Sequence, residues 1–437
     1  PKHRAARPEP ATKSRPAMGD TQEIIRAAAD ILTKRYGGEQ QLVDVERLNG
    51  SGLADVFRAR VVNNPFFQHR SVVVKHSPAT GDELADAAFL RETVAYQFAT
   101  SLSEDARPGP VLLGYDTAQR ILIISDLGDG RTLADLLQDV DADTHVDLLR
   151  RLGRALGKMH AGTADDEDAF NVLFQRMTRS RKNAANLQLL RDRLLSHRIR
   201  IGVEFLERAG IDIPGEVRFA ATNVRTRLLR GGMRAFTPFD LTPDNIIQTG
   251  NSFHFLDYEW AGYRDVTFDV AFVVARFPVF LAAQPFSAAA TEAFIDAWVS
   301  EVRGIWPSVE HPDTLQARIT AGLIGWAMSS VAMLDPVSPA ELVEHDAKLK
   351  EDFEAAGLDV SDLGPLEASA ETEEHSADYA GDVLRPHSQG PFTADEALVR
   401  RDLRETFESL AAFAGTGKDP AYRTISEFAQ TLAERLR

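Results

Sequence analysis

The stretch between Thr237 and Trp260 constrains this chain more than any other. It reads Thr237-Pro-Phe-Asp-Leu-Thr-Pro-Asp-Asn-Ile-Ile247 and then, after a short gap, Phe253-His-Phe-Leu-Asp-Tyr-Glu-Trp260. Two short apolar runs, Ile246-Ile247 and Phe253 to Leu256, predict the strands of a small hairpin turned at Gly250-Asn251. Polar residues sit where those strands begin and end: Asp240, Asn245 and Asp257. A loop rich in Asp and Asn that only caps and turns has the same composition. What the stretch does therefore depends on what the rest of the chain supplies.

Composition removes several function classes. At 437 residues, 44% hydrophobic and 26% charged, the sequence is that of a soluble globular protein long enough for two or more domains. A formal net charge of -16 argues against a nucleic-acid or anionic-membrane partner and is compatible with a cationic ligand. With no cysteine there is no disulfide, thiol nucleophile or Cys-based metal site, which fits the cytoplasm. The N-terminus lacks an apolar signal core. The longest apolar stretch, Val270 to Phe286, is broken by Arg276, Pro278 and Pro285, so no membrane span is expected.

Residues 1–20 are basic and Pro-rich and are expected to be disordered. A helix is predicted from Thr21 to Tyr36, stopped by Gly37-Gly38. Strands are expected over Leu42 to Leu48 and Val56 to Val62, flanking Asn49-Gly-Ser-Gly-Leu-Ala-Asp55. Gly50, Ser51 and Gly52 let backbone amides approach phosphates, although a plain hairpin turn has the same signature. Lys75 closes the β-branched run Ser71-Val-Val-Val-Lys75, and Glu92 lies on the following helix, Asp82 to Thr100. Kinases place the lysine that meets the α- and β-phosphates in this way. An exposed strand-end lysine and a solvated glutamate are the plainer alternatives.

Two more strands, Pro110 to Gly114 and Arg120 to Ile124, lead to Ser125-Asp-Leu-Gly-Asp-Gly130. Asp126 and Leu127 form a connector whose backbone suits an adenine ring; a simple strand-to-helix turn is the alternative. From His145 onwards helices dominate. Two arginine-rich clusters, Arg176 to Arg200 and Arg218 to Arg234, read as a solvated helix face paired with acidic surface rather than an anion site. His160 is read as structural, and Asp269 as a helix-start acceptor or a brace for the loop that carries Asp240. Residues 361–390 read as a long acidic loop, with two helices after it.

The Asp240 to Asn245 spacing matches the kinase D-x-x-x-x-N loop, with Asp257 where a metal-binding Asp follows. Such a set suits phosphoryl transfer. One carboxylate orients and deprotonates a hydroxyl, while an amide oxygen and a second carboxylate hold magnesium on the phosphates. Taken in order, Gly50, Gly52, Lys75, Glu92, Asp126-Leu127-Gly128, Asp240, Asn245 and Asp257 resemble the aminoglycoside phosphotransferase and choline-kinase-like family. So do Ile124-Ser-Asp-Leu-Gly-Asp-Gly130, Leu156-Gly-Lys-Met-His160, Leu256-Asp-Tyr-Glu-Trp-Ala-Gly262 and Phe268-Asp269. The resemblance covers roughly Val43 to Met333.

That resemblance implies an α+β, bilobal protein-kinase-like fold: a small antiparallel sheet plus helix over a larger helical lobe, with ATP between them. The nucleotide-binding lobe is expected over 21–125 and the helical lobe over 126–437. It implies that Lys75 binds phosphate oxygens and is held by Glu92, that Asp240 is the base, and that Asn245 and Asp257 are magnesium ligands. The implied activity is ATP- and Mg2+-dependent phosphorylation of a small-molecule hydroxyl, with an antibiotic-type acceptor first and a related metabolite next. Two positions depart from the family pattern: Pro238 stands where His is usual, and Asp55 where a third glycine is usual. These departures motivate a second reading, a pseudokinase-like nucleotide-binding module without turnover.

Overall fold

The computed structural model describes residues 18–48, 54–138, 140–280, 285–335, 338–357, 359–361, 363 and 383–437. They form two compact units. Of the described residues, 18–48, 54–81 and 111–126 make the first and the remainder the second. The helix-bearing segment Asp82–Pro110 belongs to the second unit, whereas the lobe expected over 21–125 included it.

In the first unit β1 (Leu42–Leu48), β2 (Asp55–Val61), β3 (Ser71–His76), β4 (Leu112–Asp116) and β5 (Ile121–Ser125) form an antiparallel sheet in the order β1-β2-β3-β5-β4. Period-2 alternation sends Val72 and Val74 of β3 inward at 0% exposure, while the inner strand β5 buries Ile121 to Ile124 on both faces. Helix α1 (Met18–Tyr36) covers the sheet through Ile24, Ile25, Ala28 and Leu32, the i, i+4, i+8 stripe of an amphipathic helix. It starts three residues before the expected Thr21 and ends at Gly37, whose φ of +79° suits glycine.

In the second unit the Asp82 carboxylate caps α2 (Glu83–Ser101) by accepting from the Leu84 amide at 2.9 Å. A short strand β6 (Arg131–Thr132), α3 (Leu133–Leu136), α4 (Ala142–Thr163), α5 (Glu167–Thr178), α6 (Ala184–Arg208) and α7 (Gly215–Arg230) follow. Then come β7 (Arg234–Thr237), the hairpin β8 (Ile246–Thr249) and β9 (Ser252–Phe255), and β10 (Gly262–Asp265). The hairpin turns at Gly250, with φ +59°, where the dipeptide predicted it. β8 also pairs with β6, and β7 pairs with β10; neither β7 nor β10 is evident from the sequence pattern.

Helices α8 (Thr267–Val274), α9 (Ala288–Val302), α10 (Pro312–Ala332), α11 (Pro339–His345), α12 (Ala347–Ala356), α13 (Ala394–Ala414) and α14 (Pro420–Arg435) complete the unit. α11 and α12 are separate helices because the Asp346 carboxylate caps the second by accepting from the Lys348 and Leu349 amides. Close helix pairs rest on glycines. A Cβ on Gly153 would lie 2.2 Å from the Phe294 carbonyl oxygen of α9. Most of the expected acidic loop lies outside the described residues, as do residues 1–17. Its end does not behave as a loop. Val383 and Leu384 are buried, and the Arg385 carbonyl accepts from Arg400 of α13 at 2.8 Å.

Candidate active site

Asp240 leaves β7 through a turn that its neighbours fix. Pro238 is buried and contributes a fixed φ without an amide donor. Phe239 takes φ +67°, an unfavourable conformation for a bulky side chain. It is held there because its amide donates to Thr237 Oγ1 at 2.9 Å. Its ring packs 5.3 Å from Trp326 and lies 4.8 Å from the Arg264 guanidinium. The bend delivers Asp240 half-buried beside the hairpin.

There Asp240 Oδ1 accepts from the Thr242 amide at 3.2 Å and Oδ2 from Asn245 Nδ2 at 3.1 Å. Burial, followed by the charge of Asp257, pushes the Asp240 carboxyl above its ordinary range against the pull of these hydrogen bonds. Asn245 ends a 3-10 turn, and its carbonyl accepts from the Leu256 amide at 2.8 Å. Asp257, the next residue, takes φ +61°. Three groups that are apart in sequence therefore meet at one end of the hairpin. Since Asn245 Nδ2 is committed to Asp240, its Oδ1 remains as an acceptor for another partner.

Among the described residues no cluster of three or more His, Cys, Asp or Glu is placed to hold a metal ion. Magnesium does not require one. It takes one or two protein oxygens and completes its octahedron with water and phosphate oxygens. Asn245 Oδ1 and the Asp257 carboxylate fit that role, and a cation there would relieve the repulsion between Asp240 and Asp257.

A buried layer supports the hairpin. Tyr258 is fully buried; its hydroxyl donates to the Phe255 carbonyl at 3.0 Å, and its ring lies 4.3 Å from Tyr96 of α2. Burial, then Tyr96 and Glu92, hold the Tyr258 phenol well above its ordinary value, so Glu92, 2% exposed, lies near this layer. His160 Nδ1 receives Trp298 Nε1–H at 2.9 Å. Indole nitrogen only donates, so the imidazole carries its proton on Nε2 and gives it to Asp269 Oδ2 at 2.9 Å. Asp269 is thus a buried partner of His160. The helix-start acceptor is Asp265 instead, which takes the Thr267 amide at 2.9 Å.

Arg191 departs from the expectation of a solvated face, while Arg176 and Arg179 of the same cluster are exposed. Arg91, Arg191 and Arg264 are each at most 2% exposed and converge on Asp192. Arg91 donates to the Ala261 carbonyl at 2.9 Å, and Arg191 to the Glu259 carbonyl at 2.9 Å while lying 4.0 Å from the Trp260 ring. They fasten the segment after Asp257 to α2 and α6. Burial, then Arg91, lower Arg191 to about 9; burial lowers Arg264 to about 10 against the pull of Asp192. For Asp192 the upward effect of burial is outweighed by Arg91 and then Arg264. The sequence reading missed Arg91, Asp192, Arg264, Thr237 and Phe239, because nothing local separates them from ordinary helix and turn residues.

In the first unit, half-buried Lys75 lies on β3 opposite Val56 and Leu122. Asp55 is paired with Arg47 at 2.5 Å. The Asp126 carboxylate accepts from Ser71 Oγ at 2.8 Å and pairs with Arg58 at 3.0 Å, so its side chain braces the sheet. Leu127 opens the second unit. Gly50, Ser51 and Gly52 lie outside the described residues.

No family model and no curated protein sequence matches the chain. Solved structures do. A choline/ethanolamine kinase family protein from Mesorhizobium loti is 17% identical, with TM-score 0.41, covering 79% of this chain and 100% of that one. A macrolide 2'-phosphotransferase from Brachybacterium faecium is 18% identical, with TM-score 0.41, over 76% and 97%. The ADP-bound aminoglycoside phosphotransferase APH(2'')-Ib is 12% identical, with TM-score 0.41, over 76% and 98%. The chain itself has an α+β architecture: a small antiparallel sheet unit and a larger, mainly helical unit.

Proposed function

We propose that this protein transfers the γ-phosphate of ATP, with magnesium, to a hydroxyl of a small molecule. The observation that carries the reading is the meeting of Asp240, Asn245 and Asp257 at one end of the hairpin, with Asn245 bonded to Asp240 and the Asp257 charge acting on it. Asp240 is the proposed base. Its position is fixed by Thr242, Asn245 and the strained Phe239 turn, so it can orient an acceptor hydroxyl with little reorganisation. Its raised pKa moves it towards the range in which a carboxylate accepts a proton more readily. Asn245 and Asp257 are the proposed magnesium ligands, and the bound metal would neutralise charge on the phosphates. Lys75 is the proposed ligand of α- and β-phosphate oxygens, and Gly50, Ser51 and Gly52 the proposed backbone donors to phosphate. Glu92, Asp126 and Leu127 keep the roles that the resemblance implies. Small alcohols of the antibiotic type are the first acceptors to try.

The test is a screen of hydroxyl compounds for ADP release with ATP and magnesium, with Asp240→Asn as control. Acceptor-dependent release by the wild type and none by Asp240→Asn is expected. A wild type that binds ATP but releases no ADP with any acceptor, while Pro238→His gains turnover, would favour the non-catalytic nucleotide-binding module.

A further inference from the structure

Opposite faces of α6 serve different ends. Arg191 and Arg198 point to Trp260 beside the hairpin. Arg193, His197 and Arg200, at i, i+4 and i+7, lie on the other face. That face lines an open cavity of about 450 Å3, lined also by Arg225 of α7 and by His345, Asp346 and Lys348 where α11 passes into α12. Four permanent cations, Arg193, Arg200, Arg225 and Lys348, line it against one acid, Asp346. This concentration is unexpected in a chain of net charge -16.

The neighbouring acids are largely committed. Asp346 caps α12 through Oδ1 and faces Arg193 through Oδ2 at 3.9 Å. Glu204 pairs with Arg200, and Asp352 with Lys348 at 2.8 Å. The Glu204 charge also reaches Arg225, but without pairing with it. Arg225 makes no hydrogen bond or ion pair among the described residues, and its Nε–H is buried with no acceptor. A buried guanidinium donor without a partner costs free energy that a native fold does not ordinarily accept unless something else supplies the acceptor.

We propose that this cavity binds a small molecule through a phosphate-type oxyanion, received by Arg225 with Arg193 and Arg200. Guanidinium forks match the oxygens of such a group in a way a point charge does not. The cavity is also larger than a bare phosphate needs and falls in the range of small-ligand sites. The local potential agrees: burial first, then Arg200, Arg225 and His345, hold His197 down at about 3, so it stays neutral beside Arg200 Nη2, 2.7 Å away, and adds no charge. The site is built within the second unit and does not depend on the phosphotransferase reading.

The test measures the thermal midpoint of the full chain, free of nucleotide, against inorganic phosphate and glycerol 3-phosphate at constant ionic strength. Wild type, Arg225→Gln and Arg193→Gln are compared. A saturable rise is expected for the wild type, with glycerol 3-phosphate the more effective. Arg225→Gln should need at least ten times more ligand for the same rise, and Arg193→Gln should fall between. Because Arg225 has no hydrogen bond to lose, its variant should fold normally. Phosphate bound elsewhere would shift all three proteins alike. An equal response in all three, or no response in the wild type, would overturn the proposal and leave the cavity to water.

Discussion

Arg91→Met is the most informative perturbation of the second unit, because methionine keeps the unbranched stem and removes only the guanidinium. Arg91 makes four donor contacts: Nε to Gln188 Oε1 at 2.9 Å, Nη1 to the Ala261 carbonyl at 2.9 Å, and Nη2 to the Gln188 carbonyl at 3.3 Å and Asp192 at 3.1 Å. Hydrogen bonds to neutral groups contribute about 0.5–1.5 kcal/mol net, and charged ones about 1.5–3 kcal/mol. Breaking a buried ion pair by removing one partner costs about 3–5 kcal/mol. Asp192 retains Arg264 at 2.7 Å, and its side chain is 32% exposed, so water and the second arginine soften the loss. The lower end, about 3 kcal/mol, is therefore expected. The assay is urea unfolding followed by tryptophan fluorescence, reading a lower midpoint at unchanged slope. Asp192→Asn and the double variant close a cycle, which should show coupling above about 1 kcal/mol. A loss below about 1 kcal/mol, or strict additivity, would show that this buried cluster does not hold the segment after Asp257.

Four further outcomes are expected. Asp240→Asn should lower transfer by about a hundred-fold or more while ATP affinity stays within a few-fold, and Asp257→Ala should instead weaken magnesium-nucleotide binding; single-turnover rates and calorimetry separate the two. Gly153→Ala should destabilise by about 1–2 kcal/mol, because overpacking against the Phe294 carbonyl outweighs the gain of about 1 kcal/mol in helix propensity; an equal or higher unfolding midpoint would contradict this. Glu396 is held at about 2, first by the Arg385 hydrogen bond and then by the Thr393 amide of the α13 capping box. A depressed carboxyl stabilises above its ordinary 4.5, so amide protection at the start of α13 should decline as pH falls from 4.5 to about 2 and not as it rises. Pro238→His should alter turnover by less than about a hundred-fold, since Thr237 and Arg264 also hold the turn; a larger change in initial rate would make position 238 essential to the geometry.

The sequence by itself determined the parts that local pattern controls. Ile24, Ile25 and Ala28 repeat at helical spacing, Val72 to Val74 form a β-branched run, and Gly250 marks the hairpin turn. From these, and from the Asp240 to Asn245 spacing, the α+β class and the meeting of the three polar groups on the hairpin could be read. Tertiary structure decided what depends on neighbours remote in the chain. Arg191 looks like a solvated helix charge until the Glu259 carbonyl is seen beside it, and Arg91 gives no signal until Asp192 and Ala261 are. Asp269 looks like a cap until His160, 109 positions away, claims it. β7 and β10 are only four residues each, and their register comes from each other rather than from any run of apolar residues. Periodicity reports which face of an element is buried, but a charged residue's role depends on which partner replaces the water it gave up. That partner is supplied by the packing of distant segments.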